Sequence, residues 1–380
     1  MKLMKKNNKT IVNIYNGYIA SSDQGGGIRY IENLIKLQKK YYQKVYLLSL
    51  GTGSKKVINI NGTTVHFYPI SRSHNWITFS IKLYLFLKKN KIEFTNLNYH
   101  IHRIYFAPFI KSIKPKKIIT TVHTKTFDVF EHNYPYFKGL IYFFIKIERL
   151  IIKHFIDELT FSGIYVKNIY KFRHKSLKKR FLLLTPLFNF KIDKKLNFFK
   201  KENKKIILVV GRLSVGKRPL IAIKLFSNAL KKDKYIANNF KLCFVGTGEL
   251  LKELKDYIKI NQLDKYVLPI RKIKSSLMPQ LYNSSHAILF LSESESYGMV
   301  PLESLASGKP IFTTNVGIAK YLITKENGVM IPVNDPLKNL NKFVKFLKKK
   351  YNRNKIINSS KKFIQKDENI LNNNIQKLYK

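Results

Sequence analysis

Glu295-Ser296-Tyr297-Gly298-Met299-Val300-Pro301-Leu302-Glu303-Ser304-Leu305-Ala306-Ser307-Gly308-Lys309-Pro310 is the stretch that decides the fold. Tyr297-Gly298 reads as a tight turn, Met299 to Ser307 as a short helix, and Gly308 as its stop, with Lys309-Pro310 preventing continuation. Ile311-Phe312-Thr313-Thr314 then reads as a buried strand. Glu295 is thus placed in the loop before the helix and Glu303 inside it. A glycine-containing loop, a helix N-terminus and two carboxylates suit a ligand with both an anionic group and several hydroxyls. The free N–H groups of the first turn, at Met299 and Val300, favour a phosphate. An ionised Glu accepts hydrogen bonds from sugar or ribose hydroxyls.

Outward from this run, short apolar segments alternate with longer amphipathic ones, the signature of α/β units around parallel sheets. Strands are expected near 11–15, 44–48, 65–68, 99–102, 118–122 and 182–184, and again at 206–210, 242–245, 266–269, 287–291 and 311–314. The polar stretch between the two series has no clean period and reads as a linker. The expected architecture is α/β, with two doubly wound Rossmann-like domains facing a central cleft. Residues 1–188 are expected to form the first domain, 189–204 the linker, 205–351 the second domain, and 352–380 a polar helical tail. Ligands bind such domains at the carboxyl ends of the strands.

At 380 residues, 45% of them hydrophobic, the chain can bury two cores. Lys and Arg number 71 against 22 Asp and Glu, a formal net charge of +49. Such a surface attracts anions, whether nucleic acid, an anionic membrane face or a phosphorylated substrate. The abundance of Lys, Asn, Ile, Phe and Tyr is equally what a genome biased toward A and T would produce. Cys243 is the single cysteine, so no intramolecular disulfide forms, and its apolar surroundings make it a core filler. With no signal peptide and no stretch of eighteen uncharged apolar residues, a cytoplasmic location is expected, soluble or peripheral on the inner membrane.

The remaining chemistry lies in loops after the expected strands. Gly211-Arg212-Leu213-Ser214-Val215-Gly216-Lys217 puts two cations beside a helix start, a clamp for a diphosphate, with Arg218 the nearest competitor. Gly246-Thr247-Gly248 lets the backbone come close to a ligand or serves only the turn. Gln24-Gly25-Gly26-Gly27 opens a helix and offers N–H donors to an anion. It is not a dinucleotide fingerprint, because Tyr30 stands where the third glycine belongs. His123 ends another first-domain strand.

The run Glu295–Pro310 resembles the pattern E-x-(F/Y)-G…E-(A/S)-x-A-x-G-x-P of the retaining GT-B-fold glycosyltransferases, glycosyltransferase family 4 (glycosyl transferases group 1). The resemblance implies that Glu295 lies against the donor sugar as a catalytic residue, with His123 near the reacting carbon. It implies that Glu303 holds the ribose, with Gly246, Gly248 and Arg271 around the nucleotide. Arg212 and Lys217 match the family's G-R-L…K motif over the donor diphosphate, joined by Gly26, Gly27 and the N–H groups of Met299 and Val300. Phe161-Ser162-Gly163 resembles the family's serine turn, whereas Thr185-Pro186-Leu187-Phe188-Asn189 departs from its Asn-Gly-x-Asp.

By that resemblance the chain is a retaining hexosyltransferase. It takes a nucleotide diphosphate sugar as donor and a glycan or lipid-linked acceptor, in bacterial-type cell-surface polysaccharide synthesis. No Asp-x-Asp occurs in the chain, so no metal or other cofactor is expected. Two basic aromatic stretches, 76–89 and 137–153, suggest peripheral contact with an anionic inner-membrane leaflet. Alternatives are a sugar-nucleotide epimerase or phosphorylase on the same fold, or a basic nucleic-acid-binding protein. The spread of Lys over the whole chain speaks against specific nucleic-acid recognition.

Overall fold

A computed structural model describes residues 9–18, 26–60, 62–73, 75–123, 138–177, 181–186, 188, 190, 192, 196–271 and 273–379. Gly25 and Asn189 lie outside these residues. The chain divides into two compact units, one of residues 1–187 with 368–380, the other of 188–367.

The first unit is built on eight strands: β1 Thr10–Tyr18, β2 Lys44–Leu50, β3 Lys56–Ile60, β4 Thr63–Ser71, β5 Asn98–Ile101, β6 Lys117–Val122, β7 Glu158–Phe161 and β8 Phe181–Leu183. They form one sheet in the order β3-β4-β2-β1-β5-β6-β7-β8. Among the described strands of this sheet only β3 runs antiparallel, to its neighbour β4. The second unit has β9 Lys205–Val210, β10 Phe240–Val245, β11 Val267–Arg271, β12 Ala287–Phe290, β13 Ile311–Thr314 and β14 Gly328–Ile331. These pair in parallel as β11-β10-β9-β12-β13-β14.

Both sheets are covered on both faces, which is why their strands are apolar at nearly every position. In β9, Ile206 and Leu208 pack into one core and Ile207 and Val209 into the other. Cys243 is buried in β10, as its surroundings suggest. In each sheet the strand order reverses beside the first strand, between β1 and β5 and between β9 and β12. Loops leaving the carboxyl ends of the strands diverge there and leave room for a ligand.

Three strands were not expected from sequence. In Lys-Val-Ile-Asn-Ile, β3 is an exposed edge, but Asn61-Gly62 after it is a two-residue hairpin signal that identifies it. β7 and β14 open with Glu158 and Gly328, residue types depleted in strands, which hides their short apolar remainders. The chain's last helix, Arg353–Tyr379, contributes Leu371, Ile375, Leu378 and Tyr379 to the core of the first unit.

Candidate active site

In the second unit the loops after β9 and β12 meet at the reversal point. The β9 loop begins at Gly211 (φ +145°) and ends in a turn of 3₁₀ helix, Val215–Lys217, before the helix Pro219–Lys232. It is tied to the β12 loop at Gly216, whose carbonyl accepts from the Glu293 N–H at 2.8 Å and from Ser292 Oγ at 3.3 Å. Ser292 is itself held through its carbonyl by Thr314 Oγ1 at 2.6 Å. This places the Lys217 ammonium on the Glu295 carboxylate, one cation and one anion paired at the mouth of the reversal point. Glu295 is 15% exposed and Lys217 33%, so the pair is partly shielded but reachable.

Gly298 (φ +84°) caps the helix Met299–Ala306, and a Cβ there would approach the Glu295 side chain at 3.5 Å. The first turn of that helix is intermediate in exposure at Met299 and Val300, and Pro301 has no N–H. The N–H groups of 299 and 300 therefore carry the positive end of the helix beside Glu295. Inside the helix, Glu303 is buried and accepts from Tyr282 Oη at 2.8 Å. Tyr282, on the helix Met278–Ser284, has no sequence signal beyond its helical register. Tyr297 is buried too, donating to Asp367 at 2.9 Å, and burial pushes its phenol well above the ordinary range.

Arg212 is solvent-exposed at the carboxyl end of β9. Arg218 is not an equivalent cation. It sits at φ +54°, donates to the Val333 carbonyl at 2.7 Å and pairs with Glu293 at 3.3 Å, so it braces the loop. Gly246 and Gly248 are explained by the protein itself. A Cβ on Gly246 would lie 1.8 Å from the Gly211 carbonyl oxygen, and one on Gly248 2.3 Å from that of Leu213. The Leu213 N–H donates to the Thr247 carbonyl at 2.9 Å, which locks the two loops backbone to backbone. Arg271 ends β11, and its side chain lies outside those described.

The first unit holds the other predicted residues. Gly26 and Gly27 form the first turn of the helix Gly26–Gln38, with a Cβ on Gly27 only 3.0 Å from the Tyr15 hydroxyl. His123 follows β6 and His102 follows β5, and their rings meet at 3.0 Å, Nε2 to Nδ1. Tyr30 stands edge-on to His123 at 4.6 Å. Burial holds the His123 imidazole down to about 3, and the nearby Arg103 charge adds to this. His102 is lowered as well, by burial and then by His100 and His123, so both rings are neutral near pH 7. His102 Nε2 is buried without a hydrogen-bond partner among the described residues. A bare ring nitrogen is cheaper to bury unpaired than an N–H. That favours the tautomer in which His102 Nδ1–H donates to His123 Nε2.

Sequence reasoning missed His102, and with it a buried polar chain behind it. Asn13 and Gln38 exchange two hydrogen bonds of 2.8 and 3.0 Å, and Gln38 donates to Tyr379 Oη at 3.1 Å. Tyr379 meets His100 Nδ1 at 2.8 Å, and His100 Nε2 meets Thr121 Oγ1 at 2.6 Å.

Residues 191–363 match the family described as glycosyl transferases group 1. An uncharacterized glycosyltransferase of Methanocaldococcus jannaschii is 27% identical over 153 residues, a stretch covering 39% of this chain and 38% of that relative. A second from the same organism is 23% identical over 73% of this chain and 82% of its own length. A Campylobacter jejuni α-1,4-N-acetyl-D-galactosaminyltransferase, named for an undecaprenol-diphosphate-linked glycan, is 25% identical over 76% of this chain and 75% of its own. Among solved structures, sucrose-phosphate synthase from Thermosynechococcus elongatus superposes with a TM-score of 0.73 at 16% identity, covering 96% of this chain and 95% of that one. Anabaena HepE in complex with UDP-glucose gives 0.68 at 14% identity, over 97% and 99%. Residues 191–363 thus match the glycosyl transferases group 1 family, on a chain with the fold of the GT-B glycosyltransferases.

Proposed function

We propose that the chain is a retaining hexosyltransferase of glycosyltransferase family 4, metal-independent, with a nucleotide diphosphate sugar as donor and a glycan or lipid-linked acceptor in cell-surface polysaccharide synthesis. The observation that carries this reading is the pairing of Lys217 with Glu295 beside the Gly298-capped helix, at the strand-order reversal of the second unit. The UDP-glucose named for HepE and the lipid-linked glycan named for the Campylobacter relative supply the substrate classes.

In this reading the donor diphosphate takes Lys217 away from Glu295. Arg212, Lys217 and the N–H groups of Met299 and Val300 then spread over the phosphate oxygens, fixed charges in the place of a metal ion. Glu295, released, accepts hydrogen bonds from the sugar hydroxyls, and Glu303, oriented by Tyr282, accepts from the ribose. The bond between the anomeric carbon and the diphosphate oxygen breaks as the acceptor oxygen bonds on the same face. The acceptor proton passes to the departing phosphate oxygen, and no protein nucleophile is required. In the first unit the His123 imidazole is held neutral, so any part it takes is that of a neutral hydrogen-bonding group and not of an acid.

Thermal stabilisation against nucleotide diphosphates and nucleotide sugars, with and without EDTA, tests the donor site on wild type and Glu303→Gln. A base-selective rise that survives EDTA and shrinks in the variant is expected. Absence of any rise with every nucleotide would sink the proposal.

A further inference from the structure

The outer face of the helix Trp76–Lys89 is apolar where water ought to make it polar. Phe79, Leu83 and Leu87 fill the core on one side. On the opposite side Ile77, Ile81 and Leu85 repeat the same spacing, yet are 51, 54 and 57% exposed, and Trp76 is 50% exposed. The charges on this helix are Lys82, Lys88 and Lys89, all exposed, and its sequence contains no acid. A surface helix normally turns such a stripe inward.

A second helix, Lys138–Phe155, repeats the arrangement. Tyr142, Phe143, Phe144 and Leu150 are exposed among the exposed Lys146 and Lys153. Its one acid, Glu148, is buried and occupied by the Tyr170 hydroxyl at 2.7 Å and His174 Nε2 at 3.2 Å. The short helix Ala107–Lys111 packs against both long helices. Aromatic contacts extend the face across it, Trp76 to Tyr105 at 5.1 Å and Tyr84 to Phe109 at 6.1 Å. Exposed aromatic and aliphatic side chains thus stand on two helices that flank the same short helix of the first unit, a concentration beyond scattered exposed residues.

We propose that this face docks the first unit on an anionic lipid bilayer, with its aromatic and aliphatic side chains in the headgroup region and its lysines on lipid phosphates. Charge selects this occupant. Apolar stripes on two helices whose exposed charged residues are basic, on a chain of net charge +49, complement an anionic leaflet. A second copy of the chain would instead bring like charges face to face. Tryptophan and tyrosine are the residues that favour the membrane interface. Docking here means lying on the surface, since no described helix is long and apolar enough to cross a membrane. The surface is independent of the transfer chemistry, so failure of one proposal leaves the other testable.

Trp76 is the chain's single tryptophan, so its emission reports directly on this face. The full chain is mixed with phosphatidylcholine vesicles with and without phosphatidylglycerol, at rising NaCl, while emission and co-sedimentation are followed. A blue shift and sedimentation with the anionic vesicles, weakened by salt and weak with phosphatidylcholine alone, are expected. Each well-placed lysine contributes about fivefold, so Lys82→Ser with Lys88→Ser and Lys89→Ser should lower partitioning roughly a hundredfold. Ile81→Asp with Leu85→Asp should abolish the blue shift, with the circular dichroism melt unchanged because both positions are exposed. Lys252→Ser with Lys255→Ser, on an exposed helix of the second unit, serves as the charge control and should bind almost as wild type. No binding to anionic vesicles, or an equal loss in that control, would overturn the proposal. So would self-association in the absence of lipid that Ile81→Asp with Leu85→Asp removes, because a second copy would then be the occupant.

Discussion

Lys217 and Arg218 are neighbours in sequence and do different work. Lys217 ends on Glu295, whereas Arg218 ends on the Val333 carbonyl and Glu293. Lys217→Ala should leave the melting temperature nearly unchanged and cut kcat/KM by about 30- to 1000-fold, the loss of one charge-stabilising contact worth about 2–4 kcal/mol. Arg218→Ala should do the reverse, with a lowered melting temperature and a smaller kinetic change. Measuring both quantities on both variants separates the roles. The sequence shows two basic residues side by side and does not say which one the left-handed backbone at 218 turns away. Gly246 makes the same point about glycines, which suit a ligand and a tight loop equally well. A Cβ 1.8 Å from a backbone oxygen shows that the loop itself requires this glycine. Gly246→Ala should destabilise the second unit by more than about 2 kcal/mol, seen as a lower urea midpoint at unchanged slope.

At the scale of elements, what was legible depended on length and period. The helix Met299–Ala306 announces itself through Gly298 before it and Gly308 after it, and both have positive φ. The six-residue β9 and β10, apolar on both faces, are equally plain. The histidine cluster was not, because pairing across β5 and β6 depends on register, and a lone His in sequence carries no partner. Its consequence is a dependence on pH. His100 and His123 titrate near 6.5 when unfolded but only at about 3 when folded, chiefly through burial. The unfolded chain thus binds protons first. Stability is full above about 6.5 and falls as pH drops toward 3, by about 1.4 kcal/mol per pH unit for each such ring. Urea midpoints between pH 7 and 4 should show that slope, and His100→Asn should flatten it. A slope unchanged by His100→Asn would rule out that ring as its source. The last helix offers another test. Ending the chain at Asp367 removes Leu371, Ile375, Leu378 and Tyr379 from the first unit's core. At about 1.5–3 kcal/mol apiece this rivals the whole net stability of an ordinary domain. The first unit of the shortened chain should lose its cooperative unfolding transition while the second keeps its own.

For the whole molecule, composition gave the least guidance. A net charge of +49 fits nucleic acid, lipid or phosphorylated substrates alike, and only the placement of side chains discriminates among them. Exposed apolar residues recur beside exposed lysines on the helices Trp76–Lys89 and Lys138–Phe155 of the first unit, while the paired Lys217 and Glu295 mark the second. Glu295 and Glu303 were legible because a spaced motif survives without its surroundings. Tyr282 and His102, which orient Glu303 and His123, were not, since each is defined only by the partner that folding brings to it.

The most direct test of the central claim is proton NMR of the anomeric signal. Wild type and Lys217→Ala are incubated with nucleotide diphosphate hexoses and a lipid-linked glycan acceptor in EDTA. Transfer with the donor's anomeric configuration retained, at a rate strongly reduced in the variant, is predicted. Inverted product, or transfer that stops in EDTA and returns with a divalent metal, would contradict it.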